Sequence, residues 1–157
     1  MSRLLRGVLL GAAAGAAGTT ALNATTYLDM SVRGRPTSST PEDTVEALSG
    51  KVHVPVPGEG DTRDNRLAGL GPLTGLVAGV GTGALLGVAR AAGWRPGLLA
   101  GSVAATLGAL AGSNGPMTVL GVTDPRTWPA SSWVADVVPH LVYGAVTAVV
   151  LDNLDRD

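Results

Sequence analysis

Asp136 and His140 stand four residues apart in a stretch otherwise poor in charge, and Tyr143 follows three residues later. Residues three and four apart share a helix face, so a carboxylate, an imidazole and a phenol would line one side of a single helix. Such a set can relay protons along a transport path, or it can pin a helix to its neighbour through hydrogen bonds. Pinning is the expected role, with Asn23 and Asn114 as the amides available to receive it. Pro139 leaves a carbonyl one turn back without its helical partner, which the His140 ring can take up. Asn114 itself belongs to Ser113-Asn114-Gly115-Pro116, a breaker cluster expected to end a helix near Gly112. Thr19, Thr20, Asn23, Thr25, Thr26 and Tyr27 form a second polar set. It serves either interhelical hydrogen bonding or the exit of a helix from hydrocarbon.

Other chemistry finds no support in the residues. The second histidine, His53, lies far from other ligands, and the chain has no cysteine, hence no disulfide, thiolate site or thiol nucleophile. Gly79-Val80-Gly81-Thr82-Gly83 resembles a phosphate loop only superficially, because it sits inside an apolar helix and follows no strand. No catalytic residue, metal or cofactor is therefore expected, and the chain is not expected to be an enzyme. A net charge of −1 without a basic run argues against nucleic acid as a partner.

The elements that must position these groups follow from where charge is missing. Of 157 residues, 45% are hydrophobic and only 15% charged, with 23 Gly and no Phe. Water-soluble cores rely on bulky side chains, whereas helices in lipid associate through small residues that let backbones approach. Uncharged windows run over Gly7–Leu28, Leu67–Ala89 and Pro96–Thr123, and a shorter one over Val137–Leu151. About 20 mostly apolar residues span a bilayer. The reading is an all-α membrane bundle in one domain, with spans at 4–28, 67–90, 96–113 and 131–151. An interfacial turn covers 114–130, and a polar loop covers 29–66. Within that loop Thr40 is predicted to cap a short amphipathic helix ending near Gly50, with Pro41 next and Val45, Leu48 and Val52 on one face. The first window also resembles a signal peptide, but its length favours an uncleaved span.

Gly71, Gly75, Gly79, Gly83 and Gly87 recur every fourth residue, and Gly7, Gly11 and Gly15 repeat the spacing in the first window. Stripes of this kind allow close helix packing. Packing inside one bundle is expected, and a homo-oligomer joined through the stripes is the alternative. Trp94, Trp128 and Trp133 fall where an aromatic belt would stand. Basic residues are balanced across the two sides, so Arg3 and Arg6 ahead of the first span decide for cytoplasmic termini.

Met117-Thr118-Val119-Leu120-Gly121-Val122-Thr123-Asp124-Pro125, Trp133 and Asp136-Val137-Val138-Pro139-His140-Leu141-Val142, together with the Gly-rich start and the stretch Arg33–Pro41, carry a resemblance. They resemble the YagU-like family of uncharacterised bacterial inner-membrane proteins, with Asp136 where that family tends to have Glu. The resemblance implies a multi-pass bundle in the cytoplasmic membrane and nothing about activity, because the family has none established. A non-enzymatic structural or interaction role in the bilayer is the leading expectation. A small transporter or channel lined by Asp136, His140 and Tyr143 is the second, and a membrane enzyme a distant third.

Overall fold

The uncharged windows become helices, and three of them run past charges that delimit their windows, whereas the helix of the Pro96–Thr123 window stops short of both. A computed structural model describes residues 1–156. Among them regular structure is entirely helical: α1 (Arg3–Arg33), α2 (Thr40–Lys51), α3 (Gly60–Ala91), α4 (Leu98–Val119) and α5 (Ala130–Leu154), with a single 3-10 turn at Pro125–Thr127. At about 1.5 Å per residue, α1 and α3 reach roughly 47 Å, beyond the ~30 Å of hydrocarbon in a bilayer. The excess is polar. Asp61, Arg63, Asp64 and Arg66 open α3, and Asp29 and Arg33 close α1 as an ion pair at 2.7 Å. Gly34, in the left-handed region at φ 63°, then ends α1.

Three helices, α1, α3 and α5, are long and apolar enough to cross a membrane. The bundle is built inside out relative to a soluble protein. Leu85 is 71% exposed, Val77 72% and Leu99 80%, whereas the largest fully buried side chains are Tyr143 and Thr147. Large apolar side chains on the outside are costly against water but favourable against lipid. The protein is thus membrane-embedded.

The interior is closed by backbone approach. α1 packs against α3 and α5, and α4 against α5. Gly7, Gly11 and Gly15 of α1 meet Gly87, Gly83 and Gly79 of α3 so closely that a Cβ at Gly11 would lie 2.9 Å from the Gly87 backbone. The remaining glycines of the α3 stripe part from this pattern. Gly71 faces Pro41 and Glu42 of α2, and Gly75 faces open space. On the other side of the bundle Gly144 of α5 lies against Thr106 and the Ser102 carbonyl of α4.

Several predicted details are corrected. The Ser113–Pro116 cluster does not break α4, which continues to Val119 with Pro116 inside it. A residue before proline is normally driven out of the helical region by its Cβ and N–H, and Gly115 has no Cβ to clash. The non-helical connection is therefore shorter than 114–130 and starts after α4 at Leu120. Ser39 rather than Thr40 is the N-cap of α2, and that helix continues to Lys51. Its apolar face is not the docking face: Leu48 and Val52 are exposed, whereas Thr44 is buried. α2 lies along α3, where Arg63 reaches Glu46 at 2.6 Å.

Candidate functional site

The antiparallel α4–α5 pair brings four polar side chains together. Asn114 Nδ2 donates to Asp136 Oδ2 at 2.8 Å. His140 Nδ1 lies 2.7 Å from the Asp136 carbonyl oxygen and 3.5 Å from Asp136 Oδ1. His140 Nε2 meets Ser113 Oγ at 3.2 Å, and the same Oγ is 2.9 Å from the Ala109 carbonyl. Both His140 and Asp136 are largely withdrawn from the surface, with side chains 11% and 20% exposed. Asn114 thus neither caps nor turns the chain; it is a helix residue spent on the carboxylate.

Donor arithmetic defines what this clasp can do. A carbonyl oxygen only accepts, so His140 Nδ1 carries a hydrogen in either charge state. In the neutral ring Nε2 accepts the Ser113 hydroxyl hydrogen. In the protonated ring Nε2 donates to Oγ, and the Ser113 hydroxyl turns to the Ala109 carbonyl. Either hydroxyl orientation leaves both side chains bonded. The carbonyl that His140 takes is that of Asp136, not that of Ala135, the one Pro139 leaves without a helical N–H.

The rest of the predicted set is elsewhere. Tyr143 is fully buried and donates from its hydroxyl to the Gly79 carbonyl of α3 at 2.6 Å, away from the clasp. Its ring lies against Gly18 of α1, where a Cβ would come within 2.9 Å of Cδ2. Asn23 is partly buried in α1 and joins no side-chain hydrogen bond among the described residues. The α1 hydroxyls turn back on their own helix: Thr19 to Gly15, Thr20 to Ala16 and Thr25 to Ala21. They are satisfied locally and bridge nothing, a common fate of Thr in helices.

Ser113 and Gly144 are the residues that sequence reasoning undervalued. The signal was a register: Asn114 lies eight residues after Thr106, and Asp136 eight before Gly144. One antiparallel alignment therefore matches the small residue to its groove and the amide to the acid.

The loop beyond the clasp is tied by its own contacts. Asp124 accepts from the Arg126 guanidinium at 2.9 Å and from its backbone N–H at 3.0 Å. The guanidinium first, and then that N–H, hold the Asp124 carboxyl below its usual pKa. Trp128 donates to Thr123 Oγ1 at 2.7 Å and packs on Trp133 with ring centroids 5.2 Å apart. No group of three or more His, Cys, Asp or Glu side chains fit to hold a metal ion occurs among the described residues. No family model, curated protein or solved structure matches the chain.

Proposed function

We propose that the chain is a four-span, non-enzymatic protein of the bacterial cytoplasmic membrane with a structural or interaction role, its termini in the cytoplasm, related to the YagU-like family. The fourth span is α4. It carries no charged residue, packs along α5, and presents Leu99, Val103, Leu107 and Val119 outward. Its polar residues are Ser102, Thr106 and Thr118, which bond back to their own helix, and Ser113 and Asn114, which are engaged in the clasp.

The observation that carries the structural reading is the closure of that clasp. Intramembrane ionisable groups that serve transport face a cavity or a path. Here Asp136 and His140 spend their bonds on Asn114, Ser113 and a backbone carbonyl, which fixes α4 to α5. The transporter reading has one observation in its favour, a Ser113 hydroxyl placed between two acceptors, His140 Nε2 and the Ala109 carbonyl.

An exchange experiment separates the two readings. Asp136→Asn replaces a charge-assisted bond by a neutral one, about half as strong, and His140→Gln removes the ring that reaches Ser113. Both are expected to lower the melting temperature in detergent. The double exchange Asn114→Asp/Asp136→Asn restores an amide–carboxylate pair and should recover most of the loss. In proteoliposomes under a pH gradient no variant should differ from the parent. Proton flux abolished by Asp136→Asn and His140→Gln at unchanged melting temperature would instead establish a transport path.

A further inference from the structure

At the end of the bundle opposite the clasp, the start of α1 and the last turns of α3 and α5 enclose a hollow of about 200 Å³. Its lining carries four guanidinium groups, Arg3, Arg6, Arg90 and Arg95, against one carboxylate, Asp155. The volume is several times the ~30 Å³ that one water occupies in the liquid. The floor, made by Gly7 and Gly87 in contact and by Leu10 and Leu151, is apolar.

Arg90 is the informative residue. It is only 8% exposed, and a buried guanidinium needs close acceptors for its five N–H donors. Its carboxylate neighbours stand off: Asp152 Oδ1 at 3.4 Å and Asp155 Oδ2 at 3.7 Å. Charge-assisted bonds of this kind normally close to about 2.7–2.9 Å. Asp152 is engaged by Arg156 at 2.5 Å and Asp155 by Arg95 at 3.1 Å, so both acids are shared. Asp155 Oδ2 is itself buried without a hydrogen bond. Arg3 and Arg6 make no ion pair among the described residues. The guanidinium groups therefore outnumber and outreach their acids.

We propose that this hollow binds a phosphate-bearing anion, the headgroup of an anionic phospholipid. Arginine forks match phosphate oxygens, and basic pockets between membrane helices on one face of the bilayer suit such headgroups. Helix dipoles do not overturn the balance. Two C-terminal ends contribute about −0.5 each and the α1 N-terminus about +0.5, against the positive surplus of the lining. The apolar floor favours a lipid over a free ion, since glycerol and the first acyl carbons can follow the phosphate onto Leu10 and Leu151. The inference rests on membrane embedding, but not on the span count or the orientation.

The test uses the full chain in dodecyl maltoside with phosphatidylglycerol, phosphatidylcholine or inorganic phosphate, read by native mass spectrometry and thermal unfolding. Phosphatidylglycerol is expected to be retained in preference to phosphatidylcholine and to raise the melting temperature. Arg3→Gln/Arg6→Gln, which leaves Arg90 in place, should weaken that retention at least tenfold, since the loss of one charge-assisted bond alone amounts to about that factor, and leave the lipid-free melting temperature unchanged. Equal retention of the two lipids, or retention indifferent to this variant, overturns the proposal. Stabilisation by inorganic phosphate without phosphatidylglycerol retention overturns the lipid as the source. Release of the chain from membranes by alkaline carbonate would refute membrane embedding itself, independently of the headgroup result.

Discussion

Gly11 and Gly75 look alike in the sequence, yet the structure assigns them opposite responses to a single methyl group. In Gly11→Ala the new Cβ would lie 2.9 Å from Gly87 Cα and its amide nitrogen, and still closer to the Gly83 carbonyl oxygen. Optimal separations between such atoms are about 3.5–4.0 Å, so α1 and α3 must part by about 1 Å or more, the Gly83 oxygen setting the distance. A gap of that size forfeits a quarter to a half of the dispersion attraction along the contact, and overpacking of this kind costs about 1–3 kcal/mol. Alanine returns about 0.5–1 kcal/mol through its better helix propensity. The net expectation is a loss of about 1–2 kcal/mol. At Gly75 nothing lies within 4 Å of an added Cβ, so only the propensity gain applies and Gly75→Ala should stabilise by about 0.5–1 kcal/mol.

The assay is reversible unfolding in mixed micelles followed by far-ultraviolet circular dichroism, with oligomeric state measured by light scattering in parallel. The reasoning fails if Gly75→Ala costs as much as Gly11→Ala. It fails equally if Gly75→Ala changes the oligomeric state, because the stripe would then pack between copies of the chain. A neutral Gly11→Ala would show that the α1–α3 contact is slack.

Thr147 is fully buried and its hydroxyl has no hydrogen-bond partner, so Thr147→Val removes a desolvated polar atom at constant shape and should stabilise by about 1 kcal/mol in the same unfolding assay. Tyr143→Phe removes the bond to the Gly79 carbonyl and should cost about 0.5–1.5 kcal/mol, with the ring still in place. Asp124 gives the 120–129 loop its pH dependence. Its lowered pKa means that the contribution to order is complete above the ordinary carboxylate pKa and is lost as pH falls through the lowered value. The fluorescence of Trp128 and Trp133 should stay constant from about pH 8 to about pH 5 and change only under stronger acid. Arg126→Gln should move that midpoint up toward the ordinary carboxylate value, and an unmoved midpoint would remove Arg126 as the cause.

Helices were legible in the sequence because charge is absent over long stretches, and that absence has one physical meaning at such lengths. Helix ends were not. The four charged residues at the start of α3 are as compatible with a loop as with a solvated helical extension, and only packing with α2, through Arg63 and Glu46, distinguishes them. Pro116 misled because the proline signal is strong and the exemption that Gly115 grants it is a property of the preceding residue. The Asp136–His140 spacing was readable as one face, but its partners required the α4–α5 register. Tyr143, three residues on, turned to another interface because a helix face wide enough for both reaches two neighbours. The stripe of five glycines shows the limit most clearly. Periodicity states which residues share a line, and it cannot state that α1 covers three of them, α2 one, and no side chain the fifth.

The absence of bulk in the interior shapes how this bundle holds together. α1 and α3 are joined by backbone on backbone, and α4 and α5 by the Gly144 groove with the clasp beyond it. Between these two pairs α1 packs broadly on α5, whereas the direct α3–α4 contact is narrow, with Thr82 against Gly108. Tyr143 bridges the pairs. It rises from α5, lays its ring on Gly18 of α1 and places its hydroxyl on Gly79 of α3. A phenol suits that position because glycine on both receiving helices leaves room for a ring, and a buried hydroxyl needs the acceptor that the Gly79 carbonyl supplies. Glycine at 18 and 79 is thus as much a part of the Tyr143 site as the tyrosine. The polar groups sort by depth accordingly: the arginines and aspartates at one end, one tyrosine hydroxyl at the centre, and the acid–amide–imidazole clasp toward the other end. The first two tie α5 to α3 and the third ties α5 to α4, which is how a bundle with almost no large buried side chains can still specify a single arrangement.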